Sequence, residues 1–203
     1  MEQFLKEQLG YTFVKRSGQG GGGCISQGEM FNTDQGKIFV KENSKDGARK
    51  MFDGEFASLE ALKNTNTIRV PNPIMVLERP HGPGALLVME YLDMRGSNKQ
   101  ARLGEDLARL HMDNIKKKES GENFVEKFGF NTETCCGFLP QGNVWSDNWV
   151  DFYTEKEIHQ TINSEKLHYL LLQPKQVLQV QLIISYPFCP LVLKFYLNGF
   201  ICS

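Results

Sequence analysis

The sequence predicts an α+β chain: an antiparallel sheet of short strands, one helix packed inward against it, and a helical second part. Three observations carry this reading. Residues 11–43 alternate in strand fashion around a glycine-rich turn and a second tight turn. Residues 85–89 form an unbroken apolar run, the pattern of a strand covered on both faces. Two stretches, at about 48–64 and 99–117, repeat their apolar residues with helical spacing.

The elements follow in order. MEQFLKEQLGY is an amphipathic start with acids at Glu2 and Glu7, and it lacks the basic and apolar regions of a signal peptide. YTFVKRS then leads into Gly18-Gln19-Gly20-Gly21-Gly22-Gly23-Cys24, read as a glycine loop between strands. Thr33-Asp34-Gln35-Gly36 has turn chemistry, and Ile38-Phe39-Val40-Lys41 returns as a strand. A helix is expected over 48–64 with Asp46 as its cap, and Ala48, Phe52, Glu55, Leu59 and Leu62 on its inward stripe. Val70-Pro71-Asn72-Pro73 breaks the chain before a strand at 74–77, and Gly82-Pro83-Gly84 turns it into the run 85–89. The helix at 99–117 carries Leu103, Leu107 and Leu110 on one face. Residues 121–145, with four glycines and a proline, read as irregular, and a third helix is expected from about Asp147 with Trp149, Phe152 and Tyr153.

Composition narrows the function. Hydrophobic residues make up 40% and charged residues 23%, which excludes wholesale disorder and collagen-like structure. Twenty-three basic against 24 acidic residues give a net charge of −1, and a protein that neutralises a phosphate backbone would carry a basic excess. A nucleic-acid partner is therefore not expected. Cys24, Cys135, Cys136, Cys189 and Cys202 form no C-x-x-C pair, and the histidines at 81, 111, 159 and 168 form no ligand pattern. This is the usage of a reduced, cytoplasmic protein without structural zinc. His111, on a helix near an apolar face, reads as a satisfied core histidine, and Cys135 and Cys136 read as packing residues.

The charge is unevenly spread. Residues 1–165 carry a net −4, whereas 166–203 hold no acid, three lysines and 23 apolar residues in 38. The longest uncharged run, 176–193, contains Pro187 and Pro190 and makes a poor transmembrane helix, so no membrane partner is expected. Two texts join near residues 165–172.

The chemistry starts at Gly18-x-Gly20-x-x-Gly23. Glycine lets backbone N–H groups approach phosphate oxygens closely. Taken alone, the loop serves equally as a hairpin turn. No Gly-Lys-Ser/Thr follows, and the next segment reads as strand rather than helix, which excludes the Walker A and Rossmann arrangements. Lys41 lies 18 residues after Gly23 on the returning strand, and Glu55 sits within an apolar helix stripe. Protein-kinase-like folds hold the ATP phosphates with such a lysine and hold the lysine with a helix glutamate. A carboxylate buried without a partner is costly, so Glu55 has its own reason to seek a cation. The bland alternative leaves Glu55 reaching solvent and Lys41 on the surface; order and spacing together favour the kinase-like arrangement. Met89-Glu90-Tyr91-Leu92 then ends the central strand where such a fold places its hinge between lobes.

GGGGCISQGEMFNTDQGKIFVKEN, MFDGEFASLEAL, LVMEYLDM, LGEDLARLH and KFGFNTETCCGFLPQGNVWSDNWVDFY together resemble the fructosamine-3-kinase / ketosamine-3-kinase family over about residues 1–160. The resemblance implies a protein-kinase-like fold close to aminoglycoside phosphotransferases. It also implies ATP-dependent phosphorylation, with Mg2+, of the sugar 3-hydroxyl of ketosamines on glycated proteins or small adducts, leading to deglycation. By the same resemblance Gly20, Gly21, Gly22, Gly23, Cys24, Ile25 and Ser26 form the phosphate-covering loop. Lys41 is then the ATP lysine, Glu55 its partner, and Met89, Glu90, Tyr91 and Leu92 the hinge. Cys24 is implied as a redox-sensitive thiol that links two chains as a disulfide homodimer, while a small packed cysteine remains the alternative there.

Other family features do not carry over. The family's catalytic His-Gly-Asp and its Asp-Pro-Ala metal site are absent from the sequence, so no catalytic or metal residue is assigned. Asp151-Phe152-Tyr153 imitates a kinase metal motif but falls in a segment that precedes the family's catalytic loop. The expected organisation is a kinase-like N-lobe over 1–93, the start of a helical C-lobe over 94–165, and a poorly packed non-family tail over 166–203. The chain then reads as a truncated form, either a non-catalytic nucleotide-binding or dimerising module or an enzyme only by descent.

Overall fold

The computed structural model describes residues 1–22, 26–93, 100–137 and 139–154. Gly23, Cys24, Ile25 and the whole segment 166–203 therefore lie outside the described residues.

Five antiparallel strands form the main sheet: β1 (Val14–Gly22), β2 (Gln27–Thr33), β3 (Gly36–Asn43), β4 (Pro73–Glu78) and β5 (Ala85–Glu90). Their order across the sheet is β1-β2-β3-β5-β4. β5 lies between β3 and β4, and residues 85–89 are all buried, as the unbroken apolar run predicts. Ala85, Leu87 and Met89 enter one core with Ala48, Phe52, Leu59 and Leu62 of helix α2 (Ala48–Asn64). Leu86 and Val88 enter a second core with Phe31, Ile38, Val40 and Leu5 of helix α1 (Glu2–Leu9). The alternation of one strand thus feeds two cores on opposite faces.

This corrects the expectation of a single inward helix. α1 covers the face of the sheet that α2 does not, with Leu5 fully buried. Four of the predicted stripe residues of α2 are buried, but Asp46 does not cap the helix. The N-cap is Gly47 in a left-handed turn (φ 81°), and no side chain caps it. Glycine adopts that φ without a Cβ penalty, so backbone geometry starts the helix instead.

Helix α3 (Gln100–Ser120) packs Leu103, Leu107 and Leu110 onto the α2 core, as its periodicity requires. His111 is exposed rather than buried, because it lies one residue, about 100° of rotation, past Leu110. The region read as irregular contains a small hairpin, β6 (Thr134–Cys136) and β7 (Leu139–Gln141). Strands of three residues are too short to show a period of two, which is why the pattern is silent there. A single helical turn, α4 (Trp149–Asp151), is capped by Asn148, whose Oδ1 accepts from the Val150 and Asp151 amides. Asp151 is an exposed first-turn acid with favourable helix-dipole placement, which needs no metal to explain it. Among the described residues, no helix is long and apolar enough to cross a membrane.

Candidate functional site

The glycines lie differently from the sequence expectation. Gly20, Gly21 and Gly22 belong to β1 itself and pair with Glu29, Gly28 and Gln27 of β2. The register shifts between Arg16 and Gly20, with Gly18 at φ 74°. The bulge re-aims the strand, so Gly20, Gly21 and Gly22 form an extended ribbon paired along β2. Ser26, immediately before β2, is half-buried.

The register then brings chemistry together across strands. Gly21 stands beside Gly28, Gly28 beside Lys41, and Lys41 beside Leu87. Lys41 therefore projects from the α2 face of the sheet, in line with the glycine ribbon. Its Nζ donates to both carboxylate oxygens of Glu55 at 2.7 Å. About a quarter of each side chain remains exposed, 28% and 24% respectively, so a pair held inside the fold still reaches an open edge. Phe52 lies one helical turn before Glu55, with its ring centroid 5.9 Å from the same ammonium. The stripe of α2 thus supplies both an anion and an aromatic face to one lysine.

α2 is held in place from behind. A Cβ on Gly54 would come 2.5 Å from the Glu133 carbonyl oxygen and 3.1 Å from the Thr134 Cα, so this helix meets β6 backbone to backbone. Lys50 adds an ion pair to Glu133 at 2.6 Å. These contacts fix the rotation of the helix and so the direction of Glu55.

Two residues of this face escape sequence reasoning. Phe39, two before Lys41, faces the same way, and its ring lies over Gly28, where a Cβ would come within 2.3 Å of the ring's Cζ. The signal was available, since an isolated glycine inside a strand marks a close approach. Only the register showed which ring makes that approach.

At the end of β5, Tyr91 donates its amide to the Lys37 carbonyl at 3.1 Å, and the Lys37 ammonium lies 5.9 Å from the Tyr91 ring centroid. Met89 is buried in the α2 core, while Tyr91 and Leu92 are half-buried where the chain leaves the sheet. The carboxylate of Glu90 turns to Arg69 and to the Asn72 amide (3.1 Å). Partial burial pushes this carboxyl up, but hydrogen bonds from Arg69 and Asn72 and the charges of Arg69 and Lys63 outweigh it and hold it below the usual carboxylate range. A cavity of about 250 Å³ lies on the opposite face, lined by Arg16, Gln27, Glu29, Phe31, Val40 and Glu42 among others. Arg16 there pairs with Glu29 and Arg79 with Glu42, and Lys41 is on the other side of the sheet.

A sequence model described as fructosamine kinase matches residues 1–181, so the similarity runs past the boundary expected near 165. The mouse ketosamine-3-kinase is 48% identical over 174 residues, covering 78% of this chain and 56% of that protein. The chloroplastic protein-ribulosamine 3-kinase of Arabidopsis thaliana is 42% identical over 148 residues, covering 72% and 42%. The chain spans about half the length of these curated relatives. Two solved structures that carry a fructosamine-3-kinase name share the fold. One, from Haemophilus somnus, matches with TM-score 0.57 at 23% identity, over 98% of this chain and 59% of its own. The other, from Thermobifida fusca, matches with TM-score 0.59 at 21% identity, over 91% and 60%. The kinase-like α+β architecture is thus that of known structures.

Proposed function

The chain belongs to the fructosamine kinase family, and on that premise we propose that residues 1–93 form the nucleotide-holding lobe of a ketosamine kinase. The reaction is transfer of a phosphoryl group from ATP to the sugar 3-hydroxyl of ribulosamine- or fructosamine-type adducts on glycated proteins, which leads to deglycation. The observation that carries this reading is the two-pronged Lys41–Glu55 contact, aligned in register with the glycine ribbon.

ATP supplies the transferable γ-phosphoryl group and the charge that the lobe must bind. Lys41 offers an ammonium to the α- and β-phosphates, and Glu55 holds that ammonium in place. The glycines from Gly20 to Gly23, with Cys24, Ile25 and Ser26, allow backbone N–H groups to approach phosphate oxygens that a Cβ would keep away. Phe39 walls the same face with a ring, and the backbone at Glu90–Leu92 meets the base. Among the described residues, no three His, Cys, Asp or Glu side chains stand close enough to hold a metal ion, so none is assigned to Mg2+.

A second reading has its own observation. The sequence contains no His-Gly-Asp to take the hydroxyl proton, so these 203 residues by themselves act as a nucleotide-binding module of a cytoplasmic protein. The polypeptide 1–203, assayed by calorimetry and by ATP-dependent phosphorylation of a ribulosamine, is expected to bind ATP without turnover. Absence of ATP binding would sink the nucleotide site, and turnover near that of a full-length relative would sink the non-catalytic reading.

Cys24 belongs to this reading as the thiol of the phosphate-covering turn, able to link two chains as a disulfide homodimer. Native-state alkylation is expected to label Cys24 before Cys135 and Cys136, which are half-buried in and beside the hairpin against α2. A diamide-induced dimer should vanish in Cys24→Ser. Equal labelling of the three thiols would count against it.

A further inference from the structure

We propose that Glu90 is a positioning residue, whose carboxylate ties the end of β5 to the α2–β4 connection and so sets where the backbone at Glu90–Leu92 meets the nucleotide base. The inference rests on the nucleotide-site reading above and adds to it a role for a side chain that itself touches no ligand.

Glu90 is fastened three ways to one short segment. Its amide donates to the Asn72 carbonyl at 2.8 Å, its Oε2 accepts from the Asn72 amide at 3.1 Å, and its Oε1 accepts from Arg69. Arg69 donates in addition to the Val70 carbonyl, so the guanidinium is itself braced on the connection. Asn72 is anchored in turn, because Lys63, in the last turn of α2, donates to its Oδ1 at 2.6 Å. Pro71 and Pro73 flank Asn72; each ring fixes its own φ and holds the residue before it extended. The connection is therefore stiff, and one linked set of polar contacts runs from the helix that carries Glu55 to the strand end that becomes the hinge.

The other side of the strand end is held by the sheet, through the Tyr91 amide on the Lys37 carbonyl at 3.1 Å. Position is thus defined from β3 on one side and from the connection on the other. Both carboxylate oxygens of Glu90 are engaged on the connection, so what the hinge presents to a base is backbone. The Glu90 and Arg69 side chains keep 35% and 61% of their exposure, and an ion pair that open contributes little to global stability. Its consequence is local geometry, and that separates a positioning role from a merely structural one.

The test uses the 203-residue chain with two probes, ATP and inorganic tripolyphosphate, titrated into wild type, Glu90→Ala, Arg69→Met and the double variant. Tripolyphosphate needs the lysine and the glycine turn but no hinge. ATP affinity is expected to fall by about three- to tenfold in either single variant, the scale of one ordinary net hydrogen bond, while tripolyphosphate affinity stays at the wild-type value. The double variant should be no weaker than the worse single one, because both substitutions cut the same tie. Equal losses for both probes, or unchanged ATP affinity, would overturn the inference. Arg69→Met cuts the tie from the far side and decides the matter should Glu90→Ala fail to fold. Lys41→Ala is the control for the underlying reading and should weaken both probes. A wild-type chain that binds neither probe overturns that reading, and this inference with it.

Discussion

Replacing Lys41 by alanine is expected to abolish measurable ATP binding while the chain stays folded. Among the described residues the ammonium is the one cation bonded to Glu55 on the face of the glycine ribbon, and both Nζ–O distances are 2.7 Å. Removing it leaves a carboxylate with a quarter of its side-chain area exposed and its cation gone. Breaking a fully buried pair costs about 3–5 kcal/mol, and the remaining exposure reduces this to about 1–2 kcal/mol. The double variant Lys41→Ala/Glu55→Ala should regain part of that loss, because no lone charge remains. Lys41→Arg separates the two roles. Its guanidinium can still pair with Glu55 and restore the melting temperature, but its planar fork does not reproduce a compact ammonium among phosphates. Calorimetric titration with ATP beside thermal melts reads both quantities. Wild-type affinity in Lys41→Ala would remove the nucleotide site from this face of the sheet.

Phe52→Ala is expected to be the most destabilising single change among the described residues of α2. Its ring is fully buried in the core formed by Leu59, Leu62, Ala85, Leu87 and Met89. Truncating such a phenylalanine typically costs about 3–5 kcal/mol, through lost burial and the cavity left behind. Against a total stability of about 5–15 kcal/mol, that is enough to unfold much of the chain near physiological temperature. The ring also faces the Lys41 ammonium at 5.9 Å. Nucleotide affinity should therefore fall at temperatures where the variant is still folded, as α2 settles and Glu55 shifts. Phe52→Leu keeps most of the volume and should recover most of the urea midpoint. An unfolding free energy for Phe52→Ala within about 1 kcal/mol of wild type in urea titrations would show that the α2 core is looser than its burial indicates.

Much of the architecture was legible because it is written in periods. Alternation in 38–41, the five-residue apolar run of β5 and the stripe of α2 each depend on residues a few positions apart. The Lys41–Glu55 pair was legible for another reason, since a carboxylate in an apolar stripe needs a cation and the order and spacing of Lys41 after the glycines match a kinase-like arrangement. The apolar face of α3, with Leu103, Leu107 and Leu110, was legible too, but that it meets the α2 core was not.

What the tertiary structure alone decided depends on register and on partners far along the chain. Whether the glycines form a loop or a paired strand turns on the bulge after Arg16, and one position of slip would send Lys41 to the α1 face. Phe39 over Gly28 needs β2 and β3 set side by side, and Glu90 on Arg69 joins residues 21 apart that no local pattern relates. Sequence periodicity specifies which face of an element is apolar. Which polar groups then meet depends on how the faces pack, because a hydrogen bond forms or fails over a few tenths of an ångström.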